Sequence, residues 1–219
     1  MDRAPAFIFD LDGTLVDNVY EHVLAWRHAL DEAGIHVSTW RVHRRIGMSG
    51  SLLVEELARE TGATLSADRV EAIRQRHGEI FRTMSPSGPL PGAQDLLHSL
   101  SARKVDWAIA TSGHAENAQK ALASLQAADA IVVTRDQVKA AKPAPDLFLE
   151  AAKRLQRPIS ETIVVGDSIW DMIAGKNAGA RGIGFLSGGY ARAELTEAGA
   201  MRVFDDPADL LRHIGDFAL

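Results

Sequence analysis

The chain has 219 residues, of which 46% are hydrophobic and 24% are charged, a composition typical of a folded globular protein and not of a disordered or collagen-like one. Its net charge of −5 provides no general attraction to nucleic acid or anionic lipid, and neither is expected as a partner. The absence of cysteine excludes disulfides, thiolate metal sites and a cysteine nucleophile. Because no apolar run approaches the roughly 18 residues of a membrane span, and the N-terminal run is too short for a signal peptide, we expect a cytoplasmic protein with no membrane segment.

Short apolar runs alternate with helical patterns along most of the chain, which predicts an α/β fold with a Rossmann-like, doubly wound parallel sheet. The runs lack a period of two, as expected for strands that are buried on both faces. The predicted strands are Ala6–Phe9, Val105–Ala110, Ala130–Val133, Thr162–Val165, Gly182–Leu186 and, more weakly, Met201–Phe204. The predicted helices between them are Ala93–Ala102, Glu116–Leu125, Asp146–Leu155 and Asp171–Ala178.

Residues 17–87 interrupt this pattern, because they contain no convincing strand and are typical of a helical insert. A Pro/Gly-rich stretch, Ser85–Gly92, marks the return to the α/β pattern. We therefore predict a core domain of residues 1–16 and 88–219 and a helical cap domain of residues 17–87. The predicted cap helices are Val19–Ala33, Trp40–Ile46, Ser51–Thr61 and Asp68–Met84.

Polar residues follow several of the predicted strands, at the edge where open α/β sheets bind ligands. Asp10 and Asp12 follow the first strand, and burying either carboxylate unpaired would be costly. Asp167 and Asp171 follow a later strand, and two such pairs at one sheet edge repel each other unless a cation is present, which favours a metal. An Asp-Gly turn and a helix cap are the structural alternatives for these residues.

Two further segments complete the pattern. Thr111-Ser112-Gly113 precedes a helix and offers a hydroxyl and backbone N–H groups to an anion, although the same residues could simply cap that helix. Lys142 precedes Pro143 at the start of another helix. A lone lysine is usually a solvated surface charge, and this one gains significance from the other three segments.

The four segments, in this order, resemble the motifs of the haloacid dehalogenase superfamily, most of whose members are phosphohydrolases. The resemblance implies that Asp10 attacks phosphorus to form an aspartyl phosphate, and that Asp12 protonates the leaving oxygen and then activates water. It also implies Mg²⁺ held by the Asp10 carboxylate, the Asp12 carbonyl and Asp167, with Asp171 behind them. The residues implied in binding the phosphoryl oxygens are Thr111, Ser112, Gly113 and Lys142.

The presence of Asp12 disfavours dehalogenation, in which the leaving halide needs no proton, and also phosphonate hydrolysis. The insert resembles the small α-helical cap of the branch with phosphoglycolate phosphatases and β-phosphoglucomutase. Ile46, Gly50 and Gly166 stand where the mutase carries charged residues, so we favour simple hydrolysis of a small phosphorylated metabolite. A sugar-phosphate mutase and a non-catalytic phosphometabolite-binding protein remain as alternatives, and the oligomeric state is left open.

The candidate substrate contacts are His22, Trp26, Gly47 in the Gly47–Gly50 loop, and His114. Three of them have an equally good structural interpretation: Trp26 as cap core, His22 as a helix-surface histidine and His114 as a solvated turn. Arg44 and Arg45 are better explained as a charged helix end. The basic stretch Arg69–Arg82 is predicted to be a solvated cap face.

Overall fold

The computed structural model describes residues 4–84, 88–127 and 129–217. Within these ranges the chain forms a six-stranded sheet in the order β3-β2-β1-β4-β5-β6, and every neighbouring pair is parallel. The strands are β1 (Ala6–Phe9), β2 (Trp107–Ala110), β3 (Ile131–Val133), β4 (Thr162–Gly166), β5 (Arg181–Phe185) and β6 (Ala200–Phe204). The predicted α/β class with a parallel sheet is confirmed.

Strand β1 lies in the middle of the sheet, where Ile8 is in register with Ala108 of β2 on one side and Val164 of β4 on the other. Successive side chains of a strand point to opposite faces, and both faces are covered here. Phe7 and Phe9 pack into one hydrophobic cluster and Ile8 packs into another. Burial on both sides explains why the strand sequences show no alternation of polar and apolar residues.

Four consecutive helices follow β1 and form the helical insert. They are α1 (Val19–Glu32), α2 (Thr39–His43), α3 (Gly50–Glu60) and α4 (Ala67–Thr83). The insert has a hydrophobic cluster of its own, which includes Trp26, Leu30, Val42, Leu57 and Ile73. The longest two helices, α1 and α4, pack against each other. The buried apolar stripe of each helix faces this cluster, so the insert is stabilised mainly by its own contacts.

The remaining helices cover the two faces of the sheet. They are α5 (Ala93–Ala102), α6 (Ala115–Ser124), α7 (Asp146–Arg154), α8 (Ile169–Ala178), α9 (Arg192–Ala198) and α10 (Pro207–Arg212). Helices α5, α6 and α10 contribute to the cluster around Phe7 and Phe9, and α7 and α8 contribute to the cluster around Ile8. Helix α9 packs against β6 and α8. The sheet is thus doubly wound, as predicted.

The two connections between core and insert run side by side. Val16 and Pro89 form an antiparallel bridge. The Asp17 N–H donates to the Gly88 carbonyl at 3.0 Å, and the Leu90 N–H donates to the Leu15 carbonyl at 2.9 Å. The predicted return at Ser85–Gly92 is described from Gly88 onward, and its first three residues lie outside the described ranges.

The structure differs from the predicted elements mainly at short segments. Strand β2 begins at Trp107 rather than Val105, because Lys104 adopts a left-handed conformation with φ of 57° and the Val105 N–H donates back to Leu100 of α5. Helices α9 and α10 were not predicted. None of the helices in the described ranges has the length and apolarity that a membrane crossing requires.

Candidate active site

The carboxyl ends of the three central strands bring three of the predicted motifs together. Asp10 follows β1, Thr111 follows β2, and Asp167 follows β4. These strands are parallel neighbours, so their ends lie at one edge of the sheet. All three side chains are buried.

Lys142 neutralises part of the negative charge at this edge. Its side chain is fully buried, its ammonium pairs with Asp10 Oδ1, and it lies 2.7 Å from Asp171 Oδ1. Burial raises the pKa of Asp10 to about 7, and repulsion from Asp171 and Asp12 adds to this effect. The positive charge of Lys142 lowers the same pKa but does not outweigh them. Burial disfavours the charged lysine, yet the attraction of Asp10 and Asp171 is greater and raises the pKa of Lys142. The ammonium therefore stays charged within a cluster of carboxylates.

Asp167 is held in a tight enclosure. Its Oδ1 accepts a hydrogen bond from Thr14 Oγ1 at 2.7 Å. A Cβ atom on Gly13 would lie 2.5 Å from Asp167 Oδ2, and a Cβ on Gly188 would lie 2.0 Å from it, so both positions need glycine. Burial and the nearby Asp171 and Asp10 raise the pKa of Asp167 well above its ordinary value.

Asp10, Asp167 and Asp171 fit a divalent cation. One carboxylate oxygen of each lies within 4.8 Å of the others, and all three residues are buried. Oxygen donors of this kind suit Mg²⁺, whose charge would offset the repulsion that raises the pKa values of Asp10 and Asp167. Asp171 Oδ1 already pairs with Lys142. Asp171 Oδ2 accepts from Ser168 Oγ at 2.6 Å and from the Ser168 backbone N–H at 3.0 Å. Asp10 and Asp167 are thus better placed than Asp171 to bind such a cation directly.

The Asp12 carboxylate lies among hydrogen-bond donors. Asn18 Nδ2 donates to Oδ1 at 2.5 Å, His22 Nε2 lies 3.3 Å from the same oxygen, and Thr111 Oγ1 donates to Oδ2 at 3.3 Å. Burial favours the neutral acid, but His22, Asn18 and Lys142 outweigh it and lower the pKa of Asp12. Asp10 and Asp12 thus have pKa values that move in opposite directions, which suits two carboxylates with different tasks.

The Thr111-Ser112-Gly113 segment adopts a turn that begins directly after β2. The Gly113 N–H donates to Thr111 Oγ1 at 2.9 Å, and Ser112 Oγ donates to the Gly47 carbonyl at 3.1 Å. His114, not Ser112, is the N-cap residue of α6, and the Ala115 N–H is satisfied by Asp136 at 2.9 Å. The predicted helix-cap alternative for Ser112 is therefore wrong.

A cavity of about 330 Å³ separates the sheet edge from the helical insert. Asp10, Asp12, Thr111 and Lys142 line one part of it. All four predicted substrate contacts also line it: His22, Trp26, Gly47 and His114. A cavity of this size and mixed polarity, with several titratable groups, is typical of a small-molecule site.

Aromatic stacking fixes the wall that α1 and α4 contribute. The rings of Trp26 and His77 stack with centroids 3.8 Å apart, and those of His22 and Phe81 stack at 3.9 Å. His22 Nδ1 lies 3.2 Å from His77 Nε2. Burial, together with the charges of His22, Arg74 and Arg82, lowers the pKa of His77 well below its ordinary value, so this ring is neutral.

The loop between α2 and α3 docks on the core. The Ser49 N–H donates to the Lys142 carbonyl at 2.8 Å, next to the Ser112 contact with Gly47. Gly47 has a φ of 96°, and a Cβ there would lie 2.5 Å from Ser168 Oγ, so only glycine fits. This loop therefore closes one side of the cavity in the structure.

Two expectations about the basic residues have different outcomes. Arg44 pairs with Glu194 and Arg45 pairs with Glu60, so neither faces the cavity, in agreement with the structural interpretation. The stretch Arg69–Arg82 is not merely a solvated face, because Glu71, Arg74 and His77 line the cavity. Their spacing of three residues puts them on one face of α4, but a solvent-exposed face would show the same spacing, so the sequence alone does not indicate that this face meets a cavity.

Gly166 precedes Asp167, where the mutase pattern carries an acidic residue. A Cβ at this position would lie 2.3 Å from both Cβ and Cγ of Asp171. The Asp171 side chain thus fills the space that a side chain at position 166 would need. An acidic residue at position 166 therefore does not fit beside Asp171 in its present position.

Known proteins that are similar to this chain include hydrolases. A family model described as haloacid dehalogenase-like hydrolase matches residues 4–179, and the chain belongs to this family of enzymes. The chain is 33% identical over 184 residues to hexitol phosphatase A of Escherichia coli (strain K12), covering 81% of each chain. It is 31% identical over 214 residues to phosphoglycolate phosphatase of Rhodospirillum rubrum, covering 94% of this chain and 88% of that one. The crystal structure of a hydrolase from Pseudomonas syringae has a TM-score of 0.94 and 46% identity, covering 97% of this chain and 98% of the other.

Proposed function

We propose that this hydrolase is a Mg²⁺-dependent phosphatase that cleaves small phosphorylated metabolites through an aspartyl phosphate on Asp10. The observation that carries the proposal is the buried Lys142 ammonium, which pairs with both Asp10 and Asp171 at the carboxyl end of β1. Such a fixed positive charge lowers the repulsion between a carboxylate nucleophile and a dianionic phosphoryl group. Relatives named as phosphatases support the same reaction class.

Asp10 is the nucleophile in this reaction. Its carboxylate oxygen attacks phosphorus, and the ester P–O bond breaks with its electron pair on the alcohol oxygen. In the second step a water oxygen attacks the same phosphorus, the bond to Asp10 breaks, and inorganic phosphate leaves. Thr111, the Ser112 and Gly113 backbone, and Lys142 bind the phosphoryl oxygens.

Asp12 moves the proton in both steps. Its carboxyl donates a proton to the leaving alcohol oxygen and later takes one from the attacking water. The lowered pKa of Asp12 suits the second role, and a phosphoryl dianion beside it would raise that pKa and favour the protonated form needed first. Asn18 and His22, both in contact with Oδ1, orient the carboxyl group for these transfers.

The Asp10 and Asp167 carboxylates and the Asp12 carbonyl are the ligands that we assign to Mg²⁺, with Asp171 positioning Lys142 behind them. When bound, Mg²⁺ supplies positive charge to the phosphoryl oxygens. We also propose that residues 17–87 act as a cap domain over a core of residues 1–16 and 88–219, with His22, Trp26, Gly47 and His114 facing the leaving group. Closure of the cap would exclude bulk water from the aspartyl phosphate.

Release of inorganic phosphate from a panel of sugar phosphates, phosphoglycolate, nucleotides and an aryl phosphate tests the proposal. We expect release with Mg²⁺, little with a chelator, and none from Asp10→Asn. The matched control is Asp17→Asn, an exposed aspartate near the same motif. Interconversion of glucose 1-phosphate and glucose 6-phosphate without net release would indicate a mutase. Phosphate-ester binding without any turnover would contradict the proposal in favour of a binding protein.

A further inference from the structure

The cavity has a polar wall that the catalytic motifs do not use, formed by Glu71, Arg74, His114, Asn117, Arg135 and Asp136. From this wall we propose the class of alcohol that the enzyme releases: an uncharged polyhydroxylated molecule, such as a sugar or polyol, and not one with a carboxylate or a second phosphate. The inference rests on the phosphatase function proposed above and names its substrate class.

An anionic leaving group would be expected to meet Arg74 in this wall. The charge of Arg74 is already neutralised by the Glu71 carboxylate. Its Nε donates to Glu71 Oε2 at 2.8 Å, and its Nη2 donates to Glu71 Oε1 at 2.5 Å. This is a bidentate pair, the strongest arrangement for an arginine and a carboxylate. Gln75 Nε2 also donates to Glu71 at 2.9 Å and fixes the carboxylate further. An incoming carboxylate would have to compete with Glu71.

His114 belongs to the same network. His114 Nδ1 lies against the Asp136 carboxylate, and its Nε2 lies against Arg74 Nη1. Asp136 also accepts from the Ala115 N–H at 2.9 Å, and these hydrogen bonds lower its pKa although burial opposes them. The network joins α4 of the insert to the loop after β2, so it closes the cavity as well as lining it.

The polar wall contains two arginines, Arg74 and Arg135, and two carboxylates, Glu71 and Asp136. Arg135 is the second cation, and its two terminal nitrogens donate to the Val138 and Lys139 carbonyls at 2.8 and 3.2 Å. Among the described residues that line the cavity, the remaining cation is Lys142, which is engaged by Asp10 and Asp171. An enclosed second anion would meet only cations that are already engaged, by Glu71, by backbone carbonyls or by Asp10 and Asp171, and burying a charge without a partner of its own is costly.

Hydroxyl groups suit the cavity better than charges do. Ser49, Ser51 and Asn117 line it and offer uncharged donors and acceptors. Trp26, Met48 and Leu53 also line it and offer apolar surface. A polyol or sugar has hydroxyl groups and carbon faces in the same molecule, so it can satisfy both kinds of surface.

Two matched substrates test the inference. Sorbitol 6-phosphate and 6-phosphogluconate have the same chain length and differ at the far end, where one carries a hydroxymethyl group and the other a carboxylate. We expect kcat/KM for phosphate release to be at least about tenfold higher for sorbitol 6-phosphate, a difference of about 1.4 kcal/mol.

The outcomes separate the two proposals. The absence of release from both compounds and from an aryl phosphate would overturn the phosphatase function itself. Equal release from the two compounds, or faster release from 6-phosphogluconate, would overturn the substrate class but not the phosphatase function.

A gain-of-function variant makes the test independent of folding defects. Glu71→Gln removes the partner of Arg74 and should raise kcat/KM for 6-phosphogluconate relative to sorbitol 6-phosphate by about tenfold. The double variant Glu71→Gln/Arg74→Gln should lose that gain. Glu79→Gln is the control, because Glu79 lies on the same helix, is exposed and pairs with Arg76. An unchanged ratio in Glu71→Gln would contradict the assigned role of the ion pair.

Discussion

The Lys142 ammonium lies 2.7 Å from Asp171 Oδ1 and pairs at the same time with Asp10, with all three side chains buried. One cation therefore links the residue that we propose as nucleophile to a carboxylate whose other oxygen is fixed by Ser168.

Replacing this cation should damage both activity and stability. Lys142→Met leaves two buried carboxylates without their partner, which is expected to cost about 3–5 kcal/mol of unfolding free energy. Loss of the charge beside the phosphoryl group should lower kcat by about 100- to 1,000-fold. Urea unfolding and phosphate-release kinetics measure the two effects, with the exposed Lys139→Met as control. Near-normal turnover in Lys142→Met would contradict the role assigned to this residue.

Mg²⁺ should stabilise the protein more at alkaline than at acidic pH. The pKa of Asp10 rises from its ordinary 3.8 to about 7 in the folded, metal-free protein, so the folded state holds protons that the unfolded chain has released. Between about pH 4 and 7 the contribution of Asp10 to the free energy of unfolding therefore falls as pH rises. A cation that replaces the bound protons then has its greatest effect above about pH 7.

Thermal unfolding with MgCl₂ or chelator, at about pH 5.5 and about pH 8, measures this difference. We expect a larger increase in Tm at the higher pH, and no increase in Asp167→Asn at either pH. An equal Mg²⁺ effect at the two pH values would contradict proton displacement at these carboxylates.

His77 should make the protein less stable in mild acid. Burial and the neighbouring positive groups lower its pKa well below the ordinary 6.5, so the unfolded chain binds a proton that the folded protein does not. This contribution destabilises the protein as pH falls below about 6.5. In His77→Phe, which keeps an aromatic ring against Trp26, the loss of stability between about pH 7.5 and pH 5.5 should become smaller.

Urea unfolding at the two pH values compares this variant with wild type and with His98→Gln, a substitution at an exposed helical position. Parallel pH profiles for wild type and His77→Phe would mean that His77 does not carry the effect.

Gly188 should be essential for the enclosure of Asp167. In Gly188→Ala the new Cβ would lie 2.0 Å from Asp167 Oδ2, so the carboxylate must move. We expect the Mg²⁺ concentration for half-maximal activity to rise by about 10- to 100-fold. Gly215→Ala is the matched control, because a Cβ there meets no atom within 4 Å. The same Mg²⁺ requirement in both variants would contradict the assigned role of Asp167.

The sheet and its polar edge could be predicted from the sequence because both depend on local signals. Each strand is a short apolar run that ends in a polar motif, as at Phe9 before Asp10 and Val165 two positions before Asp167. The rule that parallel strands meet at one edge then brings these motifs together. Helices α9 and α10 were missed because they have seven and six residues, too few for a periodic pattern to stand out.

The polar wall of the cavity could not be predicted in the same way. Arg74 and His114 are 40 residues apart and belong to different elements. Their contact depends on how the helical insert lies over the sheet, and nothing in either local sequence specifies that orientation. A basic amphipathic helix looks the same to periodicity whether its polar face meets water or a cavity. The sequence pattern therefore predicts a solvent-exposed face for α4, whereas the structure places Glu71, Arg74 and His77 against the cavity.

The bridge between Val16 and Pro89 joins the two chain segments that lead to and from the helical insert. Because these segments are hydrogen-bonded neighbours, the insert begins and ends at adjacent points of the sheet edge. Its own length and sequence therefore do not affect where it is attached. Helices of another length or sequence could be grafted there without altering the register of β1 with β2 and β4. The attachment of the insert is thereby independent of the sequence between the two segments, so the insert can change while the strands that carry Asp10 and Asp167 keep their register.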